Sequence, residues 1–405
     1  MSIRKLSSWR QDYTAQRDDA IHAMIDWSNY RTSGHFSIRH SSVSTRTSQI
    51  IVVGGGVIGM LTARELSLRG ADVTLVERGA LGQESSWAGG GILSPLYPWR
   101  YPDAVNQLAF RSQSVYPKLC KSLRDHTGID PQWTASGLLI KAKDEHETAL
   151  AWANTHGKPA SLLTQTDIAA LEPALDPPGS AIWLPDIAQV RNPRLTRALA
   201  VELKHLNTNI LDDTRVAAIR TGQGRIQGIS TQRGDFDADQ VVICAGSWSR
   251  QLVEHLPVFP VRGQMILFRA PPGAILHMYL SADRYAIPRQ DGRILFGSTL
   301  EEDGYRKTLS SDARDGLASL ARRRYPVLRD YPIEHHWAGL RPGTRSGIPF
   351  ICKHPDIEGL YINAGHFRNG LVLAPASVEL CVDLIEGRRP ALDLTPYRFQ
   401  SAADR

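Results

Sequence analysis

Cysteine is scarce. Cys120, Cys244, Cys352 and Cys381 are the four in 405 residues, and no two form a CxxC pair. Neither a disulfide framework nor a zinc site is expected, and a reducing cytoplasm fits. Long apolar runs are missing too. The longest uncharged stretch, between Arg46 and Arg64, carries Gly54, Gly55, Gly56 and Gly59, so it reads as strand, turn and helix start, not as a membrane span. No apolar segment comes after the basic start, so no secretory signal is expected. Lys plus Arg is 47 against 41 Asp plus Glu, a net of +6 with no concentrated basic stripe, which argues against a nucleic-acid partner. The sequence has no GxSxG, HExxH or Walker pattern and no internal repeat; His335-His336 lacks metal spacing, and no metal is expected.

At 42% apolar and 22% charged residues the chain is globular in composition, and its length suggests two or three domains. The start differs from the rest. Residues 1–49 hold seven Lys/Arg and four Asp/Glu, and residues 32–48 are mostly Ser, Thr, Arg and His with isolated apolar side chains. Such a stretch buries too little surface to offset its ordering entropy, so residues 1–48 are expected to be a disordered tail. Its Arg- and Ser-rich part loosely resembles an organelle transit peptide, but Asp12, Asp18, Asp19 and Asp26 argue against that.

Order is expected from Gln49. Ile50 to Val53 is a β-branched run, as in a parallel strand covered on both faces. Gly54-Gly55-Gly56-Val57-Ile58-Gly59 comes directly after it and fits GxGxxG. Helical spacing then runs to Gly70, a left-handed cap, and a second strand, Asp72 to Val76, ends at Glu77. Gly54 allows a tight turn, Gly56 lets pyrophosphate approach the backbone, and Gly59 brings helix and strand close. The helix start offers N–H groups and a positive dipole end to phosphate, and Glu77 can accept the ribose hydroxyls. A lone GxGxxG is weak evidence, but here every part comes in order. The motif does not separate FAD from NAD.

The segment after Glu77 favours FAD. Ser85-Ser86-Trp87-Ala88-Gly89-Gly90-Gly91 is a second small-residue loop that suits the remaining phosphates and a ring system. The apolar run from Ala238 ends in Ala245-Gly246, with Ser247-Trp248 next, as a strand returning to the nucleotide sheet. Residues 104–126 and 194–206 show helical spacing. Short strands are expected at 137–140, 216–219, 264–268, 285–288 and 293–297, the later ones building an antiparallel sheet. Within Trp337-Ala338-Gly339-Leu340-Arg341-Pro342-Gly343-Thr344, Arg341 is expected in a stiff turn that presents its guanidinium to a carboxylate. A strand ending at Gly365-His366 leads into Phe367-Arg368-Asn369-Gly370-Leu371. That glycine-rich helix start is expected to face an anionic flavin edge.

Together GGGVIG, VERG, SSWAGGGILSPLYPW, VRNPRL, VRGQMILF, RYAIPR, HWAGLRPGT and AGHFRNGLVLAPAS resemble the FAD-dependent glycine oxidases of thiamine biosynthesis, within the D-amino-acid-oxidase-like group of flavoenzymes. The likeness covers about residues 49–395. It implies a mixed α/β fold in which a Rossmann-like FAD-binding domain (49–100, 190–255 and 335–395) is interleaved with an antiparallel-sheet substrate domain (101–189 and 256–334). It also implies non-covalent FAD, a small amino-acid substrate, O2 as acceptor, no stable membrane insertion, and a homo-oligomer, tetrameric in relatives. The implied reaction turns glycine, O2 and water into glyoxylate, ammonia and hydrogen peroxide, with the imine feeding thiazole synthesis. Other members of the group suggest two alternatives, a quinone-linked D-amino-acid dehydrogenase and a tRNA wobble-uridine-modifying flavoenzyme.

The resemblance assigns Arg341 to the substrate carboxylate, Tyr285 to the substrate pocket and Arg368 to a place near the flavin. Cofactor contacts are expected from Gly54, Gly56, Val57, Ile58, Gly59, Glu77 and Arg78, and from Ser85, Ser86, Gly89, Gly90 and Gly91. Further contacts are expected from Val216, Ala245, Gly246 and Trp248, and from Arg341, His366, Arg368, Asn369, Gly370 and Leu371. Leu96 and Leu300 are expected to line the pocket at positions that vary among relatives. The chemistry asks mainly for positioning.

Overall fold

A computed structural model describes residues 48–142 and 144–399 of the chain. The tail expected over residues 1–48 lies outside the described residues, Ser48 excepted. Strand β1 (Gln49–Val53) is central to a six-stranded sheet and leads into helix α1 (Val57–Leu68) and strand β2 (Asp72–Val76). Across the sheet the order is Phe350–Lys353, Leu360–Ala364, Gln240–Ile243, β1, β2 and Asn209–Leu211. All neighbours are parallel except the first pair. The β-branched run has both faces covered, as its composition requires. Ile50 and Val52 enter one buried cluster with Leu66, Leu108, Leu199 and Leu373, whereas Ile51 and Val53 enter another with Ile229, Ile243 and Leu256. The helices on the first side are α1, Asp103–Thr127, Asn192–His205 and the last helix, Gly370–Ile385.

Two glycines make the first turn feasible. Gly54 has φ +112°, and a Cβ there would lie 2.4 Å from the Cys244 carbonyl oxygen. A Cβ on Gly59 would lie 1.8 Å from the Gly54 carbonyl oxygen, so α1 could not start against the turn. Gly70 ends the helix at φ +85°, as expected.

The second sheet has eight strands, in the order Ile333–Gly343, Phe259–Arg269, Arg293–Gly297, Arg284–Pro288, Met278–Ser281, Leu138–Lys141, Ser180–Leu184 and Ser161–Thr164. It is antiparallel as expected, save that Met278–Ser281 and Leu138–Lys141 pair in parallel. Its strands alternate. Ile266, Phe268 and Phe296 pack on one side with Leu317 and Ala321 of the helix Ser311–Arg324, while Met265, Leu267, Tyr285 and Ile287 face the other with Leu96. That second side carries the residues of the site. The pairing corrects one expectation. Trp337–Gly343 is not a turn but the end of the edge strand Ile333–Gly343, with Arg341 opposite Val261. An edge position tolerates Pro342, whose missing N–H costs no ladder bond on the open side.

Candidate active site

One cavity of about 510 Å³ runs from the β1–α1 turn to the second sheet. Its walls bring together Gly54, Gly56, Val57, Ile58, Glu77 and Arg78 with Ser85, Ser86, Gly89, Gly90 and Gly91. Val216, Ala245, Gly246, Trp248, Tyr285, Arg341, His366, Arg368, Gly370 and Leu371 also line it, as expected. Two expected residues do not reach the wall. Gly59 sits beneath the turn against Gly54, and Asn369 is buried behind Arg368 and Gly370. Leu96 lines the cavity as expected, but Leu300 does not: it is 53% exposed in the loop after Arg293–Gly297.

At the nucleotide end, the Glu77 carboxylate accepts the Gly55 N–H at 2.7 Å and the Gly79 N–H at 3.1 Å. A carboxylate has about four acceptor positions, so capacity remains for ribose hydroxyls. Ser86 Oγ accepts the Val57 N–H at 2.9 Å, at the positive end of α1, and keeps its own proton to donate to a phosphate. The Arg78 guanidinium lies 3.4 Å over the Trp248 ring and donates to Glu84 at 2.5 Å, and Trp248 meets Tyr305 at 5.6 Å. This forms an aromatic and cationic wall beside Glu77.

At the other end, Arg341 donates from Nη2 to Ser298 Oγ at 2.6 Å and from Nη1 to the Thr299 carbonyl at 3.3 Å. No carboxylate of the described residues pairs with it. Burial above all, with Arg368 nearby, pulls its pKa below the ordinary value. Tyr285 OH reaches the same Ser298 Oγ at 3.2 Å. Arg368 has a weak partner, Asp283 Oδ1 at 3.6 Å. His366 is 2% exposed; its Nε2 is 3.1 Å from Ser377 Oγ, and burial pushes its pKa down to about 3, so the ring is neutral. Phe367 on the wall has φ +47°, a strained conformation for a bulky residue that the neighbouring helix start holds in place.

These features fit a bound FAD. The turn exposes backbone N–H groups of the kind that suit a phosphate, and an acidic side chain of the kind that suits ribose hydroxyls stands at the end of β2. Two buried polar atoms of wall residues also lack protein partners, Oδ1 of Asn192 and of Asn363.

Residues that the sequence did not single out also build the site. Asn192 donates to the Ser86 carbonyl at 2.8 Å. Arg289, 8% exposed, donates to Gln189, to the Val190 carbonyl and, at 2.8 Å, to the Gly90 carbonyl. Burial lowers its pKa to about 9. Gly263 and Met265 lie on the cavity wall beside Arg341 and Tyr285. Asn192 and Arg289 stand in the VRNPRL and RYAIPR runs, but single letters carry no sign of which backbone carbonyls they meet.

Comparison with known proteins agrees with this geometry. A family model described as FAD dependent oxidoreductase (DAO) matches residues 49–384. A glycine oxidase of Pseudomonas aeruginosa is 46% identical over 357 residues, 87% of this chain and 98% of that protein. A bifunctional protein ThiO/ThiG of Trichormus variabilis is 32% identical, spanning 88% of this chain and 56% of that protein. The crystal structure of glycine oxidase from Geobacillus kaustophilus superposes with a TM-score of 0.83 at 30% identity, over 87% of this chain and 99% of that one. A glycine-rich cradle on a six-stranded sheet, a cavity running from it to Arg341, and a family match over 336 of the chain's residues (384 − 49 + 1) lead to one conclusion: the chain belongs to the DAO family of FAD-dependent oxidoreductases.

Proposed function

We propose that the protein oxidises glycine, with sarcosine and small D-amino acids as further substrates, to glyoxylate, ammonia and hydrogen peroxide, using O2 and water. The observation that carries this reading is Arg341, a guanidinium at the cavity's end with no carboxylate partner among the described residues. A substrate carboxylate supplies the missing anion, with a geometry that a planar fork accepts bidentately. Met265, Tyr285 and Leu96 line the same cavity as Arg341. In this reading the six-stranded sheet and its helices hold the cofactor, and the eight-stranded sheet presents the substrate residues.

When bound, FAD would supply the acceptor for the electrons of the substrate Cα–H bond and their onward path to O2. The protein's own side chains position. Arg341 fixes the carboxylate, Tyr285 closes the pocket behind it, and Arg368 places a positive charge at the same cavity. Glu77, Ser85, Ser86 and the three glycines from Gly89 to Gly91 hold the cofactor, and neutral His366 adds no charge beside Arg368. No side chain need act as base once the amine has lost its proton. The names of the relatives support glycine as substrate, and ThiO/ThiG supports a link between this oxidation and thiazole formation. Four buried free thiols fit a reducing compartment, and no helix among the described residues is long and apolar enough to cross a membrane. The test is stoichiometry. The FAD-loaded protein given glycine should consume O2 and release equimolar peroxide, glyoxylate and ammonia. No O2 uptake with glycine, sarcosine or D-alanine would contradict the reading.

A further inference from the structure

We propose that Ser298 is a positioning residue that sets Arg341 and Tyr285 as a single carboxylate-binding unit. This rests on the carboxylate role proposed for Arg341. The sheet register explains its place: Gly297 stands opposite both Met265 and Tyr285, so the next residue emerges between the strands that carry the pocket. Ser298 is 2% exposed and does not reach the cavity wall, so it acts through its neighbours.

Its hydroxyl receives two donors, Arg341 Nη2 at 2.6 Å and Tyr285 OH at 3.2 Å. Two lone pairs allow that. The adjacent Thr299 carbonyl receives Nη1 at 3.3 Å. Residues 298 and 299 therefore hold the guanidinium from behind and leave its other N–H groups for the substrate. A long arginine side chain has many rotamers, and a fork aimed in advance loses less freedom when the carboxylate arrives. Because one oxygen meets both donors, Arg341 and Tyr285 cannot shift independently.

The experiment uses the FAD-loaded enzyme and acetate as a carboxylate probe, read by perturbation of the visible flavin band, beside glycine kinetics. Ser298→Ala should raise the acetate Kd and the glycine KM by the same factor, about tenfold, which is ~1.4 kcal/mol. The turnover number should stay within about twofold and FAD affinity should be unchanged, which separates positioning from general damage. Ser298→Thr, which keeps the hydroxyl, should restore both constants. Ser298→Cys fills the same volume with a weak acceptor; it should also raise them, and it serves if the alanine variant folds poorly. Combined with Tyr285→Phe, Ser298→Ala should be less than additive on the acetate Kd. Acetate that binds wild type, is lost in Arg341→Ala and is unchanged in Ser298→Ala and Ser298→Cys overturns this inference alone. Acetate that binds wild type and Arg341→Ala equally removes the carboxylate role of Arg341 and this inference with it.

Discussion

A Cβ on Gly263 would lie 2.0 Å from Nη1 of Arg341, so the guanidinium lies flat across a strand position where only hydrogen fits. The strands Phe259–Arg269 and Ile333–Gly343 are paired there, so the backbone cannot move aside cheaply. Gly263→Ala should therefore turn the fork and raise the glycine KM by tenfold or more, with FAD retained. Arg341→Ala should raise it by about 100-fold or more, because charge-assisted contacts to a carboxylate supply roughly 3 kcal/mol. Steady-state kinetics with a parallel FAD titration check both. An unchanged KM in either variant would remove that residue from its role.

The contact between Gly59 and Gly54 predicts a different phenotype. A methyl group 1.8 Å from the Gly54 carbonyl oxygen must displace the turn proposed to meet the pyrophosphate. Gly59→Ala should weaken FAD binding by 100-fold or more, measured by recovery of flavin fluorescence on dilution. Glu77→Gln, which keeps the shape but loses the charge that accepts the Gly55 and Gly79 N–H groups, should weaken it less, by about tenfold.

Much of this was legible in the chain itself. β1, α1, β2 and Glu77 can be read from a β-branched run, spaced glycines and an acid at a strand end, because each residue type answers a local backbone need. Most residues expected to touch the cofactor therefore do line one cavity. The sheet register was not. Arg341 looked like a turn residue because Pro342 and Gly343 come after it, yet the pairing of Val261 with Arg341 draws it into an edge strand. Ser298 could not be found from sequence either, since its importance comes from standing one residue beyond Gly297, opposite two strands at once. Leu300, two residues later, shows the same limit: the chain turns outward and exposes it. Local chemistry is written in the sequence, whereas long-range pairing appears only when the sheet is assembled.

Arg289 supplies a stability prediction. Its guanidinium holds Gln189, Val190 and Gly90 together behind the cofactor loop, without a carboxylate partner among the described residues. Removing it leaves buried acceptors without a donor, each costing about 1–3 kcal/mol, partly offset by relief of a buried charge. Arg289→Met should lower stability by about 2 kcal/mol and loosen FAD, with Arg289→Lys intermediate. Urea unfolding of the apoprotein and FAD titration read the two effects, and a variant as stable as wild type would contradict this linking role.

His366 gives a pH dependence with a definite sign. Its folded pKa, about 3, lies below the ordinary 6.5, so the folded state prefers the neutral ring while the unfolded chain takes up a proton. Stability is complete above about pH 6.5 and is lost as pH falls through the window from 6.5 towards 3. The slope due to this group approaches about 1.4 kcal/mol per pH unit. His366→Gln should be less stable than wild type at pH 7.5 but should lose less on acidification. Urea midpoints at pH 7.5, 6 and 5 test it; a constant gap between the two proteins would exclude His366 as the source.

In the proposed function, an amino acid held by Arg341 delivers its electrons to FAD in this cavity. The most direct measurement is an anaerobic titration of the purified protein with glycine, monitored through the visible flavin spectrum. The yellow band should bleach in step with added glycine and return on admitting air, with peroxide released. An FAD-loaded protein whose band stays intact with glycine, sarcosine, D-alanine and D-proline would contradict it.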